Sequence, residues 1–494
     1  MAAPQVEVIS QKCAGAEEHL HQVLFRVNVP DKPAGGIDAR TPTDIVCVID
    51  ISGSMGSLAT IQSASGVVES NGLTLLDVAK HGVRTVIATL GPSDRCAVVA
   101  FDDQQVRQVP LTKMDEAGKA HANKQLEALD DRGGTDIWGG LREGMEVLRE
   151  AQVDKTESRI AHVVLLTDGQ TMRRDEVLPN VRSYKAQYEG LPGTVSTMGF
   201  GYSIDSELLA DLAQCGNGTY SFIPDAGFVG TVFVNTMSNL LVSMATDVML
   251  DIGAEDGAVV EKVHGGIEYT QTADAWRLQL GLLQYGQSRD TVVSAKLPAG
   301  ANLTARLTCK LAGSGALAES DLAELKAESA SEAELKLVQR QVQRCDFVDT
   351  VQSAVKELKA WKGNDTEGVE QAAGKIRALA ERVSSSQAAG DEHVQKLLED
   401  IQGQILEAFS KREYWFKWGC HYVPSALCAH KCQVCNNFKD PGVQVYGGDM
   451  FKDFQDKADN LFNELPPPTA SDIYQVGATA APVDMSRYND RDCA

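Results

Sequence analysis

Residues 44–56 read Asp-Ile-Val-Cys-Val-Ile-Asp-Ile-Ser-Gly-Ser-Met-Gly. Positions 45–49 form an unbroken apolar run rich in β-branched residues, the pattern of a central strand buried on both faces. The run ends in Asp50, Ser52 and Ser54, oxygen donors at spacing i, i+2, i+4, and Gly53 and Gly56 let the backbone curl around them. Small oxygen donors converging on one point suit a hard cation. A strand of this kind, ended by such a loop, points to an α/β domain opened by a metal site.

Two later segments extend the pattern. Gly133-Gly134-Thr135-Asp136 is a glycine-rich turn leading into an amphipathic stretch, and Val163-Val164-Leu165-Leu166-Thr167-Asp168-Gly169 is a second buried-type strand ending in an aspartate. The set and its order resemble the metal-ion-dependent adhesion site (MIDAS) of von Willebrand factor A (vWA) domains. The resemblance implies Asp50, Ser52, Ser54, Thr135 and Asp168 as the metal ligands, for Mg²⁺ or Mn²⁺. It also implies a doubly wound, mostly parallel sheet of order 3-2-1-4-5-6. In such a sheet the strands ending at Asp50 and near Asp168 are neighbours at the switch point, where ligands bind.

Composition narrows the partners. Forty-six basic against 68 acidic residues give a net charge of −22, which argues against nucleic acid or an anionic membrane as partner, since both need a basic face. The 494 residues call for more than one domain. Eleven cysteines include Cys47 and Cys96 in apolar strand-like runs, where a reduced cysteine behaves as a small hydrophobe. With no charged-then-apolar leader and no apolar run of spanning length, the expectation is a cytoplasmic, reduced chain.

The pattern along the chain predicts a vWA domain over residues 42–244 inserted in a β-sandwich. Residues 1–41 supply the first strands, with Val23, Phe25, Val27 and Val29 alternating inward, and residues 245–312 supply the rest. A short helix over 206–215 is expected to start on a serine cap. Residues 318–412, rich in Ala, Glu, Leu and Gln, read as a helical bundle, with Ser331 and Glu334 spaced for a capping box. Its apolar stripes are expected to pack on one another. Residues 466–494 read as a flexible tail.

The segment 413–465 holds three further features: the run Trp418 to Ser425, the run Cys435 to Gln444, and a cysteine/histidine cluster. With residues 284–290, these runs look like intracellular vWA proteins that carry a C-terminal vWA/Hedgehog-intein-associated (vwaint-like) domain. Some relatives of that kind continue into a self-cleaving Hint domain. Here the chain stops at Cys493-Ala494, with no Hint body to give Cys493 a base or an oxyanion hole. Cys428, Cys432 and Cys435 invite a zinc reading, but the spacing before the Cys432-x-x-Cys435 pair is irregular. The competing reading is a helix-turn element whose aromatics cover the bundle.

No nucleophile–base pair, phosphate loop or cofactor motif accompanies the metal motif; hydrolysis by a metal-bound water would need a positioned base, for which Asp136 and Asp102 are candidates. The expectation is therefore a non-enzymatic scaffold that uses a MIDAS to bind an Asp or Glu of a partner protein. Two alternatives stand beside it: a ubiquitin-pathway adaptor or ligase with a C-terminal zinc module, and a structural component of a cytoskeletal or ciliary assembly.

Overall fold

The computed structural model describes residues 4–13, 19–62, 68–153, 159–272, 275–312, 315–325, 330–435 and 440–468. The chain opens with an antiparallel hairpin, β1 (Gln5–Lys12) and β2 (Leu20–Asn28). It then enters β3 (Thr43–Asp50), buried at every position as its apolar run requires. A second hairpin, β4 (Leu58–Gln62) and β5 (Val68–Thr74), sits directly after the Ser-Gly-Ser loop; the sequence pattern gave no sign of it. Helix α1 (Leu75–Thr89) follows, started by a capping box between Thr74 and Asp77.

The remaining elements alternate: β6 (Arg95–Phe101), β7 (Gln105–Lys113), α2 (Glu116–Glu127), α3 (Ile137–Gln152), β8 (Ile160–Thr167), α4 (Arg174–Gln187), β9 (Thr194–Phe200), α5 (Ser206–Cys215), β10 (Asn217–Ile223) and α6 (Val229–Leu241). The sheet runs β10-β9-β8-β3-β6-β7, parallel except at β7. Strand β3 therefore lies between β8 and β6, and the order reverses around it. This is the expected topology. One detail differs: α5 is capped by Asp205, whose side chain accepts from Leu208 N, not by a serine. Ser206 is instead buried, with other work described below.

After α6 the chain forms β11 (Ser243–Glu255), β12 (Val259–Val263), β13 (Tyr269–Gln271), β14 (Ala275–Gln284), β15 (Arg289–Lys296), β16 (Asn302–Leu311), β17 (Leu317–Glu319) and β18 (Ala323–Glu324). Two sheets result, β1-β2-β15-β12 and β13-β14-β11-β16-β17, with β18 also paired to β16. Val8, Phe25 and Val293 from the first meet Leu250, Leu278 and Leu307 from the second in one core. Strand β2 pairs with β15 along its length, Val27 opposite Arg289 through Leu20 opposite Lys296. The N-terminal strands thus find their partners beyond the inserted α/β unit. The region expected to be helical from 318 onward begins later, because 317–324 extends the second sheet as edge strands.

The helices α7 (Glu332–Ala360), α8 (Asp365–Ser384) and α9 (Glu392–Asp400) then follow. The third apolar face is interrupted: Ile401–Ile405 forms a wider turn in which Gly403 leaves helical geometry (φ −86°, ψ −117°). Nor do the stripes pack only on one another. Val338 and Cys345 of α7 lie on Ile9, Leu24 and Val292 of the sandwich. Phe347, Val348 and Val351 share a core with Tyr422 and Val423 of the helix Cys420–Cys432 and with residues of the α/β sheet. The final helix, Asp449–Glu464, lies on α6 and α1, with the Phe462 ring 5.0 Å from that of His81.

Residues 284–290 form the junction of these parts. Asp290 is buried, pairs with Arg26 at 3.5 Å and accepts from Gln341 Nε2 at 2.9 Å. Its peptide is bracketed by the Gln433 amide, which accepts from the Asp290 N–H (3.1 Å) and donates to the carbonyl (2.9 Å). Arg344 donates to the same carbonyl and to that of His430. These bonds tie the sandwich, α7 and the C-terminal helices into one register.

Candidate metal centre

Strand β3 ends with Asp50 wholly buried at the sheet's carboxyl edge. Its two carboxylate oxygens are fixed separately: Ser52 N donates to Oδ1 at 2.8 Å, and Thr167 Oγ1 donates to Oδ2 at 2.5 Å. The Thr167 hydroxyl is itself held by the N–H of Gly169 (2.8 Å). Ser52 Oγ and Ser54 Oγ lie 3.1 Å apart, and Ser54 also hydrogen-bonds Asp168. Four of the five expected residues are thus linked in one chain, Asp50 through the Ser52 backbone and Ser52, Ser54 and Asp168 through their side chains.

Thr135 joins through the backbone. Gly53 N donates to the carbonyl of Gly133 (3.1 Å), Arg132 N to that of Ile51 (2.6 Å), and Thr171 Oγ1 to that of Thr135 (2.8 Å). These bonds stitch the glycine-rich loop between the first and third loops. Gly133 adopts φ +69°, and a Cβ there would meet Asp102 and Asp103 within 3.4 Å, so the turn needs glycine.

The electrostatics are those of a site short of positive charge. Burial, and then the neighbouring Asp168, pushes the Asp50 carboxyl up to about 7; burial also raises Asp168. Among the described residues neither carboxylate has an ion-pair partner. Two buried carboxylates and a set of hydroxyls, uncompensated by the chain, make a donor set that a divalent cation fits.

The two base candidates are occupied. Asp136 caps α3 through Gly139 N (3.0 Å) and accepts from Gln105 Nε2 (3.1 Å). Asp102 accepts from Gln104 N (2.7 Å) and Arg132 Nε (2.8 Å).

Thr167 and Thr171 were missed by the sequence reading. Thr167 was visible as the polar break in an otherwise apolar strand, one residue before Asp168. Thr171 carried no such signal.

The cysteine/histidine cluster does not converge on one point: Cys428 and Cys432 share a helix face, and the others lie elsewhere. His421 sits in a buried chain in which Tyr220 Oη donates to Ser206 Oγ (2.7 Å), Ser206 Oγ lies 2.7 Å from His421 Nδ1, and Nε2 reaches the Tyr202 carbonyl (3.1 Å). His430 Nδ1 meets Tyr446 Oη, and Cys435 Sγ faces the Val443 carbonyl. Among the described residues no group of three or more His, Cys, Asp or Glu is arranged to hold a metal ion. Cys493 lies outside the described residues.

Residues 45–170 match the family model described as von Willebrand factor type A domain. The chain carries a vWA domain. Residues 391–460 match the model described as VWA / Hh protein intein-like, a span that takes in α9 and most of the last helix. A solved von Willebrand factor type A structure from Catenulispora acidiphila is similar over 81% of this chain and 90% of its own, with a TM-score of 0.55 at 18% identity, which shows the fold.

Among curated proteins, one of Synechocystis described as uncharacterised is 32% identical over 217 residues, 42% of this chain and 44% of that one. The E3 ubiquitin-protein ligase WAV3 of Arabidopsis thaliana is 24% identical over 317 residues, 60% of this chain and 37% of that one. The chain therefore spans less than half the length of these relatives. No helix among the described residues is long and apolar enough to cross a membrane.

Proposed function

We propose that the vWA domain is a metal-dependent protein-binding module. In this reading Asp50, Ser52, Ser54, Thr135 and Asp168 hold Mg²⁺ or Mn²⁺, and the cation captures an Asp or Glu side chain of a partner protein. The observation that carries it is the pair Asp50 and Asp168, buried at the ends of adjacent strands without a basic partner among the described residues. A divalent ion supplies the missing charge, and serine and threonine hydroxyls leave that ion enough residual charge to attract an external carboxylate. With Asp136 and Asp102 committed to structural hydrogen bonds, the reading is of a binding site without catalysis.

The test is retention of proteins from source lysate on the wild-type chain and on Asp50→Ala, in Mg²⁺ and in EDTA, with titration calorimetry of Mg²⁺ on both. A partner held only by the wild type in Mg²⁺ supports the reading. The same proteins retained in every condition would overturn it.

A second reading, a role in ubiquitin transfer, is favoured by the WAV3 similarity. It predicts that a ubiquitin-conjugating enzyme or a ligase is among the retained proteins.

A further inference from the structure

A cavity of about 270 Å³ opens where α5 and β10 of the vWA domain meet β14, α7 and the Cys420–Cys432 helix. Its wall includes Cys428, Cys432, Arg289, Lys359 and Lys431. The two cysteines are one helical turn apart on one face, both partly exposed. Cys428 Sγ accepts from Tyr220 N at 3.4 Å and donates to Cys432 Sγ, so its position is fixed by the edge strand of the vWA sheet.

Arg289 is the unusual wall residue. It is only 8% exposed, and its Nε and Nη1 find no hydrogen-bond partner. A guanidinium does not deprotonate in a protein, so a buried one needs a counter-charge. Asp290 beside it is engaged with Arg26 and Gln341. Arg289 shares the cavity wall with Cys432, whose sulfur feels its positive charge. Lys431 adds a second positive charge near the same sulfur. Within the Cys428–Cys432 pair the shared hydrogen bond and the two cations favour charge on Cys432 and hold Cys428 up, whereas burial raises Cys13, Cys215, Cys309, Cys345 and Cys435.

We propose that Cys432 is a peroxide-reactive thiolate, with Arg289 as the oxyanion-binding group and Cys428 as the resolving thiol. Cys432 Sγ attacks one oxygen of a hydroperoxide. The S–O bond forms, the O–O bond breaks, and the departing hydroxide or alkoxide takes a proton from solvent. Sulfur loses two electrons and the peroxide gains them. Arg289, on the same cavity wall, supplies positive charge for the negative charge that grows on the leaving oxygen. Cys428 then attacks the Cys432 sulfenic sulfur: the S–S bond forms, the S–O bond breaks, and water leaves with the Cys428 proton. Cys432 is the last residue of its helix and Gln433 is left-handed (φ 52°), so closing the disulfide asks only the final turn to tighten. Gln433 is also the residue that brackets the Asp290 peptide, so that movement reaches the junction of the sandwich and the helices.

The test is made on the full chain. Alkylation by iodoacetamide at pH 6, mapped by peptide mass spectrometry, should label Cys432 roughly tenfold faster than the other partly exposed cysteines, because only a lowered thiol keeps a large thiolate fraction there. Hydrogen peroxide should give an internal Cys428–Cys432 disulfide in the wild type. In Cys428→Ser it should give a dimedone adduct accumulating on Cys432. Lys431→Gln, at a partly exposed site, should slow the alkylation severalfold with unchanged circular dichroism, and Arg289→Lys should slow peroxide oxidation more than alkylation. Labelling of Cys432 no faster than that of Cys215, or no dimedone adduct in Cys428→Ser, would overturn the proposal.

Discussion

Thr167 donates its hydroxyl hydrogen to Asp50 Oδ2 at 2.5 Å, and Gly169 N holds the same hydroxyl from the other side. The aspartate is thereby oriented by a residue that is not among the expected ligands. Partners of this kind are commonly worth ten- to a hundredfold in metal affinity. Thr167→Val, nearly isosteric, should therefore weaken Mg²⁺ or Mn²⁺ binding about tenfold while leaving far-UV circular dichroism unchanged. Thr167→Ser should restore it. Titration calorimetry with the three chains decides the point.

Asp50 is a buried carboxylate beside a second one. Without a cation both charges weaken the fold, so Asp50→Asn should stabilise the chain in EDTA, by about 2 kcal/mol. Added Mg²⁺ should raise the melting temperature of the wild type and leave that of Asp50→Asn where it was. A wild-type melting curve indifferent to Mg²⁺ and Mn²⁺ would count against metal binding.

Burial lowers five histidines, His21, His81, His162, His393 and His421, which makes the fold sensitive to mild acid. Two of them, His162 against Thr194 and His421 in the Tyr220–Ser206 chain, fall to about 4. Their unfolded value is about 6.5. The folded state thus favours the neutral ring, and the stability it contributes is full above 6.5 and lost as pH falls toward 4. Between pH 7 and pH 5 each should remove about 2 kcal/mol. Urea unfolding of His421→Gln at the two pH values should show a loss about 2 kcal/mol smaller than that of the wild type, and an unchanged loss would rule the assignment out.

The last helix is held to the vWA domain by close packing at a glycine. A Cβ on Gly230 would come within 2.6 Å of the Phe462 ring. Gly230→Val should lift Asp449–Glu464 from α6 and α1, costing about 1–3 kcal/mol, and should open the chain to limited proteolysis near residue 448. Wild-type resistance in that variant would show that the helix finds room.

The vWA sheet was legible because its strands announce themselves: 45–49 and 163–166 are continuous apolar runs of strand length, and Asp50, Ser52, Ser54 and Asp168 follow them directly in sequence. The paired strands of the sandwich were also legible, since Val23, Phe25 and Val27 alternate. What was not legible is short or set by distant partners. Leu317–Glu319 and Ala323–Glu324 are too brief to show a period, and they are strands because β16 offers them an edge. The break at Gly403 hides inside a regular apolar pattern. The division of the α7 stripe between two cores depends on what lies opposite, which periodicity does not encode. At the candidate centre Asp50 could be read from its motif, but the role of Thr167 comes from a strand more than a hundred residues away.

The pairing of β2 with β15 sets an order of events on the ribosome. Leu20–Asn28 emerges first, yet its partner Arg289–Lys296 is made some 260 residues later. At about 5–20 residues per second the wait is roughly 13–50 s. During that interval the N-terminal hairpin has one unpaired edge and no opposing sheet, a state too small to persist in water by itself. The α/β unit, whose strands all lie within the nascent segment, completes in the meantime. The frame therefore closes around a guest that is already native, and slowing translation between residues 242 and 296 should lengthen the time for which chaperones hold the chain.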